Sequence, residues 1–194
     1  MEAHSLNDSN TESRNTLESQ LRECYGRVVY SHKTHEKCAD ILLNRLSWIK
    51  IAQIILSALT TVGFIDATFG SGKLGAIIGL CLSAVLLTLN AYTKDYDLGE
   101  LAQKHRQAAA DLWFIREKYL SLLTDIRIFQ VTIESIQQTR DGLCKDLHVV
   151  YSGAPGTNFK AYKKAQDALQ NLEDMTFSDK EIDAFLPNHL RKKL

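Results

Sequence analysis

His32 and His35 lie three residues apart, and Cys38 follows three later. Imidazole and thiolate are zinc ligands, so this trio is the first place to look for a metal. On a helix the spacing i, i+3, i+6 drifts off one face, and zinc sites draw their ligands from more than one element. The trio therefore reads as an ordinary helix face, and neither a metal nor a cofactor is expected. His105 and Arg140 interrupt apolar repeats and read as register or edge residues rather than catalytic ones. The chain has no phosphate-binding Gly loop, no Gly-x-Ser-x-Gly and no paired-carboxylate pattern. No catalytic residue is expected, and the protein does not read as an enzyme. Cys24, Cys38, Cys81 and Cys144 form no Cys-x-x-Cys pair and read as reduced thiols on helix faces.

A second set of polar residues sits inside apolar sequence, where polarity is costly and carries information. Lys50, Gln53, Ser57 and Thr60 follow a three-four-three rhythm and share one helical face. Thr61, Thr88 and Asn90 add polarity. Two readings stay open. The stripe either hydrogen-bonds within a helix pair, or Gln53, Ser57 and Thr60 line an aqueous path once several pairs assemble. Two helices enclose no lumen, so the second reading requires an oligomer. Gly75, Gly79 and Ser83 are spaced four apart, and small residues at that spacing let membrane helices pack closely.

The elements that carry these residues are two apolar runs, 48–65 and 74–92, the first uncharged from Ile51 and the second throughout, joined by a Gly-rich loop at 66–73. Each is near the roughly 20 residues that a helix needs to cross a bilayer. A short loop between two spans makes a helical hairpin with both tails on one side. Arg45, Lys50, Lys94, Lys104 and Arg106 flank the tail side, which predicts both termini in the cytoplasm. Trp48 and Tyr92 fall at one interface, as aromatic belts do. The first run starts too deep for a cleaved leader. Charge is balanced at 23 basic and 23 acidic residues, giving no basic face for direct nucleic-acid binding.

Outside the spans the chain reads as helical throughout. Residues 1–10 are polar and read as a disordered tail. Over 11–47, Leu17, Leu21, Cys24, Val28, Ser31, His35, Cys38, Leu42 and Leu46 recur at spacings of three and four. They predict one long helix running into the first span. In 93–151 the second span is expected to continue outward along Leu98, Leu101, His105, Ala108, Leu112, Ile115, Tyr119, Leu122, Ile126 and Phe129. A break is expected between about 124 and 132, and Ile133, Ile136, Arg140, Leu143, Leu147 and Val150 resume the seam. Residues 152–194 form a C-terminal helical tail. It holds a helix from Asn158 with Phe159, Tyr162, Ala165, Leu169 and Leu172 on one face. A capping box at Ser178–Glu181 opens a short helix that Pro187 stops, and the basic end, His189–Leu194, is placed near anionic headgroups. The fold class is all-α: a two-span transmembrane hairpin with long cytoplasmic helical extensions. Trp113 and Tyr119 are residue types that anchor interfaces. They are the candidates for a regulatory contact, with burial in the bundle as the alternative.

Three stretches resemble the SMODS and SLOG associating two-transmembrane effector domains (SLATT) of bacterial conflict systems. They are His35 to Gly63; Leu101–His105 with Ala110–Asp125; and the tail from Ala154 through Glu181–Pro187. The resemblance covers about residues 14–190 and points toward the subgroup with reverse-transcriptase partners. It implies an inner-membrane effector that assembles as a homo-oligomer in the lipid bilayer. A partner from a nucleotide-signalling or reverse-transcriptase defence system would trigger it to permeabilise the membrane and stop growth. It supplies no catalytic residues. The rival expectation is a non-conducting adaptor that anchors a sensor or polymerase at the bilayer.

Overall fold

A computed structural model of the chain describes residues 2–69, 73–172 and 174–192. Among the described residues six α-helices run in order: α1 Glu2–Phe69, α2 Leu74–Asp95, α3 Leu98–Arg127, α4 Ile133–Gly153, α5 Phe159–Gln170 and α6 Asp179–Phe185. A 3-10 turn at Asn188–Leu190 follows, and no strand occurs among the described residues.

The first helix is longer than its apolar repeat. It is already formed at Glu2, through the segment expected to be disordered, and it runs past Ile65 to Phe69. No proline or glycine interrupts residues 64–69, so the helix takes Asp66 to Phe69 from the expected loop. Loop residues 70–72 lie outside the described residues.

The second span does not continue smoothly outward as expected. Tyr96 and Asp97 break it, with backbone ψ angles of 87° and 88°. The Asp97 carboxylate accepts from the Glu100 amide at 2.8 Å and starts α3 as a new helix. A capping side chain that satisfies an orphan amide makes such a restart favourable. The break expected between 124 and 132 lies between Arg127 and Ile133. Thr132 caps α4, and Arg14 of α1 reaches across to donate to the Val131 carbonyl at 2.7 Å.

The first half of α1 packs along α3, and α4 folds back over both. Leu17, Leu21 and Val28 of α1 meet Leu112, Ile115, Tyr119, Leu122 and Ile126 of α3, with Ile136 and Leu143 of α4 closing the cluster. Two expected seam residues, Leu101 and Phe129, are exposed, and Ala102 and Ala109 are buried in the α1–α3 contact region. Close helix approach favours alanine there. The α5 face differs in part from the expected one, sharing Ala165 with it. Ala161, Ala165 and Ala168 are buried, whereas Phe159 and Leu172 are largely exposed. Small side chains let α5 lie against α1, where Tyr30 stacks on Tyr162 at 5.9 Å.

The capping box forms as the sequence indicates: Ser178 Oγ accepts from the Glu181 amide, and the Glu181 carboxylate accepts from the Ser178 amide. That pairing holds the Glu181 carboxyl below its ordinary pKa. The basic end folds back on this helix, with Lys192 Nζ 2.8 Å from Asp179 and Arg191 donating to the Leu186 carbonyl.

Candidate functional site

The apolar stretches of α1 and α2 stand side by side and leave their outer surfaces uncovered. In each, only 6 % of the most apolar window is buried by protein. Ile54, Val62, Leu74, Leu80 and Leu87 are all more than half exposed. A soluble core helix would be covered; these two are long and apolar enough to cross a membrane. Arg45 lies over the Tyr92 ring at 5.6 Å, and Tyr92 stacks on Tyr96, so both helices carry their polar-aromatic girdle at one level.

The predicted polar stripe divides between two surfaces. Gln53 donates across the helix pair to Asn90 Oδ1 at 2.8 Å. Thr60 is buried, and its hydroxyl donates to the Leu56 carbonyl. Ser57 is exposed, and its carbonyl accepts from Thr61. Gln53 and Thr60 therefore occupy the contact within the hairpin, and Ser57 faces outward.

The glycines meet where the helices come closest. A Cβ on Gly63 would stand 3.2 Å from the Gly75 carbonyl and 3.2 Å from Gly79 Cα. A Cβ on Gly79 would have more room, 3.7 Å from the Gly63 carbonyl carbon. A side chain at Gly75 would run into the Asp66 carboxylate. Ser83 is half-buried further along α2. Gly63, which the sequence reading did not single out, completes this contact; its signal is a glycine one helical run before a small-residue repeat.

In the body outside the spans, a cleft of about 880 Å³ opens between α1, α3 and the segment after α5. Trp113 lines it and is half exposed, whereas Tyr119 is 2 % exposed in the helical core. Of the two regulatory candidates, only Trp113 presents its ring to an outside molecule. Burial pushes the Tyr119 hydroxyl above its ordinary pKa, with Cys24 and Cys144 adding to the effect. Lys33 crosses the cleft to Asp174 at 2.7 Å and Glu36 at 2.8 Å. Burial alone would lower the Lys33 pKa, but the hydrogen bonds to Asp174 and then Glu36 outweigh it and raise it. The same bond from Lys33 lowers that of Asp174.

His32, His35 and Cys38 do not converge on one point. His32 Nδ1 donates to the Ala109 carbonyl at 2.8 Å. His35 Nδ1 meets Nδ1 of His105 on α3 at 2.9 Å. Cys38 Sγ accepts from Asn158 Nδ2, and burial raises its thiol pKa. Arg140 donates to Asp141 and to Gln20 of α1 at the edge of the bundle. No group of three or more metal-ligating side chains forms among the described residues, and all four cysteines are free.

Two adjacent apolar helices projecting from a helical body define an all-α membrane hairpin protein. The model of SMODS and SLOG-associating 2TM effector domain family 4 matches residues 17–181, and the chain belongs to that family. No curated protein and no solved structure matches it.

Proposed function

We propose that this protein is an inner-membrane effector of a bacterial conflict system. In this reading both termini are cytoplasmic, and the protein assembles through its hairpin and permeabilises the bilayer when its body is triggered. The uncovered hairpin is the observation that supports it. Protein buries only 6 % of either apolar window, so lipid or further copies must cover the rest. A path through the membrane needs several copies, and of Gln53, Ser57 and Thr60 the exposed Ser57 is our candidate to face it. The arrangement is a two-state assembly: a trigger acts only by binding the assembled form more tightly than the resting one.

A non-conducting adaptor is favoured by one specific observation. Gln53 and Thr60 are engaged inside the hairpin and so are not free to line a channel. Dye-loaded liposomes carrying the purified protein separate the two readings. The effector releases dye when the protein encoded beside it is added with its signal, and Ser57→Leu slows that release. An adaptor retains the dye under every condition. Trp113→Ala weakens the response to the partner without changing membrane insertion, checked by sedimentation with the vesicles.

A further inference from the structure

We propose that the cleft between α1, α3 and the segment after α5 binds a small anion carrying a planar ring. This is the chemistry of a nucleotide, and it would take the place now held by Asp174. The proposal rests on the reading of the protein as a triggered effector and gives that trigger a site.

The cleft, about 880 Å³, has the size of small-molecule sites. Ala109 and Ala110 line it with small side chains. Trp113 and Phe177 border it with rings 49 % and 66 % exposed. Exposed aromatic faces on a cleft stack planar groups well.

Arg116 supplies an unmet donor. Its side chain is 15 % exposed, yet its buried Nε has no hydrogen-bond partner among the described residues. The other nitrogens touch Glu117 at 3.1 Å and the Met175 sulfur at 3.8 Å. A buried guanidinium N–H left without an acceptor is costly, and a ligand oxygen would relieve that cost. Arg106 and Lys37 line the same cleft with no ion pair among the described residues. Three acids also face it. Glu36 and Asp174 are committed to Lys33, and Asp40 remains as an acceptor for a ring amino group.

The chain already places one anion here. Asp174 comes from the segment after α5 and reaches Lys33 at 2.7 Å. It sits next to Met175, a non-glycine residue held at φ 73°. Such backbone is strained and persists only while its contacts hold. A ligand phosphate can replace the Asp174 carboxylate without stranding Lys33, because Glu36 stays bonded to it. Ligand entry thereby removes the Lys33–Asp174 tie, one of the contacts that hold Asp174 and Met175 against the cleft.

The test uses the full chain in detergent micelles with Trp48→Phe, which leaves Trp113 as the one indole. AMP, adenosine and ribose 5-phosphate are titrated while the indole fluorescence is read. AMP quenches it saturably, and the ring alone and the phosphate alone bind at least about tenfold more weakly. Arg106→Gln and Arg116→Gln each weaken AMP binding about tenfold or more, and Asp174→Asn strengthens it. Arg106 is exposed, so its variant separates ligand binding from folding. No saturable change with AMP up to millimolar concentration, equal binding of adenosine and AMP, or unaltered affinity in Arg106→Gln overturns the site. Dye release is a separate readout. AMP binding by a protein that retains dye even with its neighbouring protein and signal leaves the site standing and removes the permeabilising role; leakage under those conditions from a protein that does not bind AMP does the reverse.

Discussion

The contact between His35 and His105 gives the body a predictable response to acid. Their Nδ1 atoms are 2.9 Å apart, so one nitrogen must donate and the other must offer its lone pair. Both rings are 3 % exposed. Burial lowers the His35 pKa to about 4, with His105 and then His32 adding positive-charge repulsion; burial also lowers that of His105. His32 lies near enough to contribute to that repulsion, and Tyr30, Tyr151 and Tyr162 share a small cavity with His35. No carboxylate is among the causes of either shift. The folded state therefore favours neutral rings, while an unfolded His takes its proton near pH 6.5. Stability from this pair is complete above that value and is lost as the pH falls toward about 4. For His35 alone the loss amounts to about 3 kcal/mol. Thermal unfolding followed by circular dichroism should show a midpoint that drops between pH 6.5 and 4.5. The drop should be smaller in His35→Gln/His105→Gln. Equal slopes for the two proteins would show that other groups cause it. Both histidines stand out in the sequence as polar members of apolar seams. Their meeting does not, because periodicity assigns a residue to a face but says nothing of what lies opposite 70 positions away. The same limit applies to Trp113 and Tyr119, six residues apart on one helix yet facing different surroundings.

At the level of helices, the closest approach in the hairpin sets a ranking that residue types alone would not suggest. Gly79 looks like the centre of the small-residue repeat, but a Cβ there would sit in ordinary van der Waals contact. Gly63 has less room, and its neighbours are backbone atoms, which cannot rotate away. Gly63→Ala should therefore destabilise the hairpin by about 1–3 kcal/mol, while Gly79→Ala changes it little. In lipid-like detergent the first variant loses several degrees of melting temperature, taking about 2–4 °C per kcal/mol for a chain of this size. A larger loss for Gly79→Ala would overturn the ranking. The spans, the break after Arg127 and the capping box of α6 were legible from hydropathy and local chemistry. The joint at Asp97 escapes the apolar pattern, although Asp97 with Glu100 three residues on is a helix-start pattern. The apolar spacing continues across it, and spacing alone cannot distinguish a bent rod from two rods meeting end to end. On α5 the periodic pattern finds Tyr162 and Ala165 on the docked side but weighs Phe159 and Leu172 above Ala161 and Ala168, because large apolar residues dominate such a pattern. Docking against α1 instead selects the side that permits close approach.

For the molecule as a whole, apolar residues are exposed in two different settings, and the difference decides what the protein is. Leu120 on α3 is 43 % exposed and Val85 on α2 is 50 % exposed, so protein burial barely separates them. Their surroundings along the chain do. Lys118 and Glu117 precede Leu120, and Lys118 pairs with Asp146 nearby. Val85 stands in a helix with no charged residue from Leu74 until Lys94. If α2 lies in lipid, Val85→Asp places a carboxylate near mid-bilayer at a cost of about 2.5–3.5 kcal/mol for insertion. Leu120→Asp puts one in water and costs little. Membranes from cells making each variant, washed with alkaline carbonate, should retain wild-type and Leu120→Asp protein in the pellet and lose much of Val85→Asp. Equal retention of the two variants would mean that α2 meets a protein surface rather than lipid. In that case its uncovered face would be an interface waiting for another chain. The carbonate wash thus tests the hairpin independently of any trigger, and the roles proposed for Ser57 in the membrane and Trp113 in the cleft depend on its outcome in different ways. Ser57 loses its meaning if the hairpin is not in lipid, whereas the cleft keeps its shape and charge whatever solvent surrounds the spans.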